Sequence, residues 1–349
     1  MNGYPQYDYW YAQAAAAAEQ QRETAEYKRL LFILAMSVIA VTVIVQVAAL
    51  VVFTRLPIFP THPDWAMFVA GLEVGGSSFT AQDVAYFSMW LANDIIVYVP
   101  PLLAFGFIFR NRLDYQKPGG PYEFKNVWVL PFFLAGVAIA TGSSILTNVI
   151  SELLSGVFGG DNILPEVFGD VMPQTNMQML MMLFTVGIVA PICEEIIYRH
   201  LLLRPLRRYG DLQAVIITSI LFGFFHGNLT QFLYSAMVGL ILGIAAVKAN
   251  SVIPAIIIHM MNNIYVVLNA HFMELSERGE IPLNSISLSV LSIFILVLGV
   301  VALAIMVVKN ILTVENYNPY IFPRERIRLL WQRPSIIIMA VLLVLITVF

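Results

Sequence analysis

An all-α fold, a polytopic bundle of transmembrane helices, is what this sequence predicts, and three observations predict it. Hydrophobic residues make up 59% of the 349, charged residues only 12%, and the apolar residues gather into long runs separated by short charged loops. Soluble domains keep about a quarter of their residues charged. A mean hydropathy of +0.79 points the same way. The net charge of −3 leaves no basic footprint for nucleic acid. Cys193 is the single cysteine, so it has no partner for an internal disulfide.

In chain order, residues 1–29 read as a polar cytoplasmic tail, helical in part, that ends in Arg22, Lys28 and Arg29. No cleavable signal precedes the first apolar run, 30–53, whose length suits a retained anchor, since about 20 apolar residues cross a bilayer. The second run, 84–109, contains Asn93, Asp94 and Pro100-Pro101 and stops at Arg110 and Arg112. The third, 127–150, carries Thr141, Ser143, Ser144, Thr147 and Asn148, small polar residues suited to helix-helix contact. Together, 30–175 form an amino-terminal set of helices closed by the loop 151–175, which has acids but no Lys or Arg.

The fourth run, 176–203, is stopped by Arg204, Arg207 and Arg208. Runs five (212–226) and six (229–247) are joined by Gly227 and Asn228, and Lys248 follows. Run seven, 253–268, completes a core unit over 176–270. The carboxy-terminal part, 271–349, holds run eight (286–308), a basic linker with Lys309, Arg324, Arg326, Arg328 and Arg333, and a short apolar tail, 335–349. The expected count is eight spans, or nine with that tail. By the positive-inside rule the amino terminus, the Arg110 loop, the Arg204 loop, Lys248 and the basic linker face the cytoplasm. No internal repeat is evident.

Chemistry is concentrated where charge interrupts the fourth run, at Cys193-Glu194-Glu195-Ile196-Ile197-Tyr198-Arg199. A charge at the bilayer centre costs roughly 2.5 to 3.5 kcal/mol, so such residues face partners or a wet cavity and commonly act in catalysis or transport. Two later stretches offer partners, Phe222-Gly-Phe-Phe-His226 and His259-Met-Met-Asn262-Asn263. Helical rise from Arg204, Asp211 and Lys248 puts Glu194 about 15 Å, His226 about 22 Å and His259 about 16 Å from the basic side, at similar depth.

Spacing separates the roles. Glu195 and Arg199 form the favourable i,i+4 pair, suited to holding the helix and orienting a neighbour. Glu194, turned about 100° away, is the candidate base. Two histidines on different runs at its depth join it as candidates. Asn263 shares a face with His259 and suits either an oxyanion or an interhelical bond. Phe222 reads as packing, and Pro191 as a kink that opens room for water.

Asp94 is a buried-acid candidate that would otherwise lie near the outer interface. Cys193 has no basic neighbour at helical spacing and reads as an inert thiol. His62 and His271 are expected in loops, His200 as a neighbour of the site, and Met177, Met179, Met181 and Met182 as adaptable packing.

Glu194-Glu195-x-x-x-Arg199, Phe222-x-x-x-His226 and His259-x-x-x-Asn263, in this order on successive hydrophobic runs, resemble the three motifs of the CPBP intramembrane proteases. That family includes the type II CAAX prenyl endopeptidases and bacterial Abi-like proteins linked to bacteriocin processing and immunity. The resemblance covers roughly 180–270. It implies peptide-bond hydrolysis in a cavity within the membrane, with Glu194 and His226 activating water and His259 and Asn263 stabilising the oxyanion. Glu195, Arg199 and Phe222 would support them. A metal-dependent variant would use Glu194, His226 and His259 as ligands for a divalent metal, zinc if any, since one carboxylate and two imidazoles leave a position for water. No His-Glu-x-x-His pattern fixes such an ion on one helix.

The expected partners are membrane lipid and a membrane-associated peptide or protein substrate. The expected location is a bacterial cell membrane, because carboxyl-terminal Cys-a-a-X prenylation is eukaryotic and nothing in the sequence establishes such a source. Two other classes remain open at this point, a proton- or cation-coupled transporter and a non-catalytic bacteriocin-immunity scaffold.

Overall fold

The computed structural model describes residues 5–55, 57, 64–70, 80–113, 124–158, 172–281, 284–315 and 318–348. Among these every regular element is helical, as the composition predicts. His62 and most of the acidic loop 151–175 lie outside the described residues.

Helix α1 (Pro5–Arg55) runs unbroken for 51 residues. At 1.5 Å per residue it is about 77 Å long, more than twice the hydrocarbon thickness. The segment expected as a partly helical tail is thus continuous with the first span. Its inner end is pinned to the protein: Gln213 Nε2 donates to the Tyr27 hydroxyl at 2.6 Å, and Arg208 pairs with Glu23 and, at 3.2 Å, with Glu26.

After the short α2 (Trp65–Ala70), α3 (Ala81–Phe109) opens with a capping box. The Thr80 hydroxyl accepts from the Asp83 amide at 3.1 Å, and the Asp83 carboxylate accepts from the Thr80 amide at 2.9 Å, which satisfies two otherwise orphaned donors. The other Asp83 oxygen accepts from Thr175 Oγ1 at 2.8 Å. Thr175 caps α5 (Asn176–Phe184), so α3 and the fourth span start side by side, beyond the intervening α4 (Val129–Phe158).

The fourth span continues as α6 (Ala190–Glu195) and α7 (Leu203–Arg207), joined by two π-helical turns, Thr185–Val189 and Ile196–Leu202. Pro191 has no N–H to give, and the wide turn before it carries the chain past the missing donor. The kink expected at Pro191 therefore takes the form of widened helix.

Helices α8 (Asp211–Phe225) and α9 (Leu229–Ala249) form a tight hairpin through His226, Gly227 and Asn228. Gly227 has φ +66°, and Asn228 Oδ1 caps α9 by accepting from the Gln231 amide at 2.8 Å. Small residues bring the two backbones together: a Cβ at Gly223 would stand 2.7 Å from the Phe232 carbonyl oxygen, and one at Gly243 2.9 Å from Val215 Cγ1. Gly239-Leu-Ile-Leu-Gly243 is the small-xxx-small spacing of close membrane helix contacts.

Helix α10 (Ile253–Glu277) is longer than expected, and His271, predicted in a loop, is a buried residue on it. Helix α11 (Ser285–Val308) approaches α4 so closely that a Cβ at Gly299 would lie 2.3 Å from the Leu134 carbonyl oxygen. The chain ends in α12 (Pro323–Trp331) and α13 (Pro334–Val348), with 69° between them.

Among the described residues seven helical stretches are long and apolar enough to cross a membrane, or eight if the bent terminal pair counts as one. This is an integral membrane protein. Seven or eight stand against the expected eight or nine, because α8, expected as the fifth span, has 15 residues and reaches only about 22 Å. Leu31, Phe132, Leu202, Val215 and Leu242 lie in the core that joins α1, α4 and the hairpin.

Candidate active site

Glu194 and Glu195 are the last residues of α6, where it widens into the second π-helical turn. Their surroundings differ as their rotation about the axis predicts. Glu195 is fully buried in protein, whereas Glu194 borders a cavity of about 710 Å³.

Glu195 holds two partners. Its Oε2 lies 3.2 Å from Arg199 Nε, the pairing expected from i,i+4 spacing, and its Oε1 lies 2.9 Å from His259 Nδ1. A carboxylate can only accept, so Nδ1 carries the proton and the ring is fixed with Nε2 directed elsewhere. Nε2 lies 3.5 Å from Glu194 Oε2. The imidazole of His259 thus stands between the two adjacent carboxylates.

Arg199 is itself 2% exposed. Its Nη2 donates to the Gly239 carbonyl at 3.2 Å, and its guanidinium lies 4.8 Å from the centre of the Phe222 ring. Phe222 does more than fill space: it meets the rings of His226 and His259 at 5.0 and 5.7 Å, edge-on at 87° and 90°.

His226 caps the end of α8 and lines the cavity with Glu194. Its Nδ1 is 2.9 Å from the Phe222 carbonyl, which again accepts, so Nε2 is left with its lone pair. Asn263 Nδ2 donates to the Val186 carbonyl, in the first π-helical turn, at 2.9 Å. The interhelical bond expected as one reading of Asn263 is present. An amide nitrogen carries a second N–H, and Asn263 also borders the cavity.

The structure adds Tyr98, which sequence reasoning passed over. Its hydroxyl donates to Glu194 Oε1 at 2.8 Å. The signal was there, a tyrosine four residues after Asp94 on the same face of α3. Asp94, weighed against a place at the outer interface, lines the same cavity and is 7% exposed. Thr141, Ser144, Thr147 and Asn148 of α4, expected at helix-helix contacts, border the cavity too. Tyr234 accepts from Asn262 Nδ2 at 2.9 Å. Cys193 is half-buried, and neither it nor His200 is part of the lining. Met179 and Met182 pack with Tyr86, Met89 and Val267, as expected of adaptable core.

Among the described residues no three His, Cys, Asp or Glu side chains are grouped so as to hold a metal ion. Glu194, His226 and His259, the ligand set implied by resemblance, do not form such a group. His259 Nδ1 and His226 Nδ1 are engaged by Glu195 and by the Phe222 carbonyl, and His259 Nε2 lies 3.5 Å from Glu194 Oε2.

Residues 176–265 match the family model for the type II CAAX prenyl endopeptidases, Rce1-like. The likeness covers 90 of the 349 residues. All three motifs, from Glu194 through Asn263, fall inside the Rce1-like segment, in agreement with the resemblance read from the sequence. No match was found among curated proteins or among solved structures. Tyr98, Asp94, Asn148 and Ser292, which also border the cavity or bond its glutamate, come from helices outside the matched residues.

Proposed function

We propose that the protein is an intramembrane endopeptidase that hydrolyses a peptide bond of a membrane-associated peptide or protein with water activated by Glu194 and His226. The observation that carries this reading is convergence. Side chains of Glu194, His226 and His259, from three separate helices, border one cavity inside the bundle.

Each partner found around them suits a task. Tyr98 holds one oxygen of Glu194 and leaves Oε2 to take a proton from water. His226 Nε2, its tautomer fixed by Phe222, accepts the other hydrogen of that water and positions its oxygen. The oxygen attacks the peptide carbonyl carbon, and the carbonyl oxygen becomes an oxyanion that accepts from the second N–H of Asn263 and, in the imidazolium form of His259 with both ring nitrogens protonated, from its Nε2–H. Collapse breaks the C–N bond; the proton held at Glu194 passes to the leaving nitrogen, giving a carboxylic acid and an amine. Glu195 and Arg199 act through His259 as positioning residues. No step is routed through a metal.

The charged ends at Arg110, Arg204 to Arg208, Lys248 and Arg324 to Arg333 are assigned to the cytoplasmic side. The contacts of Glu23, Glu26 and Tyr27 with Arg208 and Gln213 support an amino-terminal half of α1 on that side as well.

The test is hydrolysis of an internally quenched membrane peptide by protein reconstituted in vesicles. Removal of a group that moves a proton in the transition state costs about 10²- to 10⁴-fold. Glu194→Gln and His226→Ala are expected to lose activity on that scale with a thermal midpoint near the parent's. A folded variant that cleaves at the parental rate removes its residue from the mechanism.

A further inference from the structure

The charges that line the cavity are one-sided. Among its described lining residues the acids are Asp94 and Glu194, joined by two histidines, and none is Lys or Arg. The nearest guanidinium of the site, Arg199, is committed to Glu195, the Gly239 carbonyl and the Phe222 ring and does not reach the lining. The rest of the polar wall is neutral, with Asn93, Ser144, Asn148, Asn269 and Ser292. Asp94 is the group the hydrolytic mechanism leaves unused. It is 7% exposed, and among the described residues its Oδ2 has no hydrogen-bond partner. A buried, unpaired carboxylate oxygen in a membrane is costly unless a partner arrives.

Position says which part of a substrate would meet it. Asp94 stands one helical turn from Tyr98, about 6 Å along α3, on the side away from Arg110. Tyr98 touches Glu194. An extended peptide advances about 3.3 Å per residue, so that turn corresponds to about two residues to one side of the scissile bond. A chain ending in a free carboxylate at this point, as a carboxyl-terminal Cys-a-a-X peptide does, would bring a negative charge to Asp94 and Glu194 with no cation to receive it.

We propose that Asp94 is a specificity residue that receives a lysine or arginine side chain of the substrate, so that the preferred substrate is an internal, cationic segment instead of an acidic chain end. Juxtamembrane segments of membrane proteins supply such cations beside an apolar stretch. The proposal rests on the endopeptidase reading and names the substrate class of that site.

The experiment uses one quenched peptide series with Lys, Gln or Glu at the two positions before or the two positions after the cleaved bond, each with a free or amidated terminus. Hydrolysis by the reconstituted protein gives kcat/KM, and fluorescence anisotropy gives binding of the same peptides to Glu194→Gln. A charge-assisted contact predicts about a tenfold or greater preference for Lys over Glu. The Lys-to-Glu ratio should fall toward unity in Asp94→Asn and persist in Asp94→Glu. A ratio that persists in Asp94→Asn, or a preference for the free acid over the amide, overturns the proposal. Cleavage without Asp94-dependent selection leaves the endopeptidase and removes the cation site. Selective binding that depends on Asp94, with no peptide cleaved, leaves the cation site and removes the endopeptidase.

Discussion

Two arginine-glutamate contacts in this protein share a chemistry and differ in everything around them. Within the Rce1-like segment, Arg199 and Glu195 have no exposed side-chain surface and hold His259 between them and Glu194. At the inner end of α1, Arg208 reaches the buried Glu23 and also Glu26, and in the second of these contacts the two side chains are 42% and 46% exposed. In the first case the environment offers no substitute partner, so each member depends on the others. In the second, water can replace a lost contact. The same ion pair is thus a framework for the candidate site in one place and a tether in the other.

The largest effect expected is at Arg199. Breaking a buried pair by removing one partner costs about 3 to 5 kcal/mol, because it strands the other charge. Arg199→Ala should unfold at a lower temperature by that measure in a detergent melt, and lose hydrolysis with it. Arg199→Lys should recover only part, since an ammonium cannot span Glu195, the Gly239 carbonyl and the Phe222 face at once. If Arg199→Ala is as stable as the parent, the contrast between the two sites fails.

Next in size is Gly223→Ala. Its added methyl would meet the Phe232 carbonyl oxygen at 2.7 Å, one residue from Phe222 and three from His226. Overpacking of this kind costs about 1 to 3 kcal/mol, read as a lower thermal midpoint. Tyr98→Phe deletes one hydrogen bond to a charged acceptor, about 1.5 to 3 kcal/mol. It should appear chiefly as about a tenfold or greater fall in kcat, with KM little changed.

The smallest mutational effect belongs to the exposed part of the tether: Glu26→Gln should cost less than about 1 kcal/mol and leave hydrolysis near the parental rate. Chelator dialysis is expected to leave hydrolysis intact, because the proposed steps use side chains and water alone. Activity that disappears on dialysis and returns with zinc would contradict that.

How much of this was legible follows from what a sequence pattern can carry. The i,i+4 spacings of Glu195 with Arg199, Phe222 with His226 and His259 with Asn263 encode helix faces, and the three motifs did fall around one cavity. The membrane class followed from composition. What was hidden depends on rotation and on backbone geometry. Hydropathy marks 84–109 as a span without saying which face turns inward, so Tyr98 was overlooked and Asp94 left undecided. A 3.6-residue period does not reveal π-helical turns, so the widening on both sides of α6 was invisible apart from Pro191. Polar residues at 269–277 suggested a loop, yet α10 continues through them, with His271 buried and Asn269 accepting from Ser292 Oγ at 2.8 Å. The shortness of α8 went unweighed, since its apolar run resembled a crossing.

The most direct test is single-turnover cleavage in water enriched in heavy oxygen, comparing the parent with Glu194→Gln in vesicles. The account predicts that the parent places one heavy oxygen in the new carboxylate and that folded Glu194→Gln forms almost no product. Product formed by Glu194→Gln at the parental rate, or a parental product without the heavy oxygen, would contradict it.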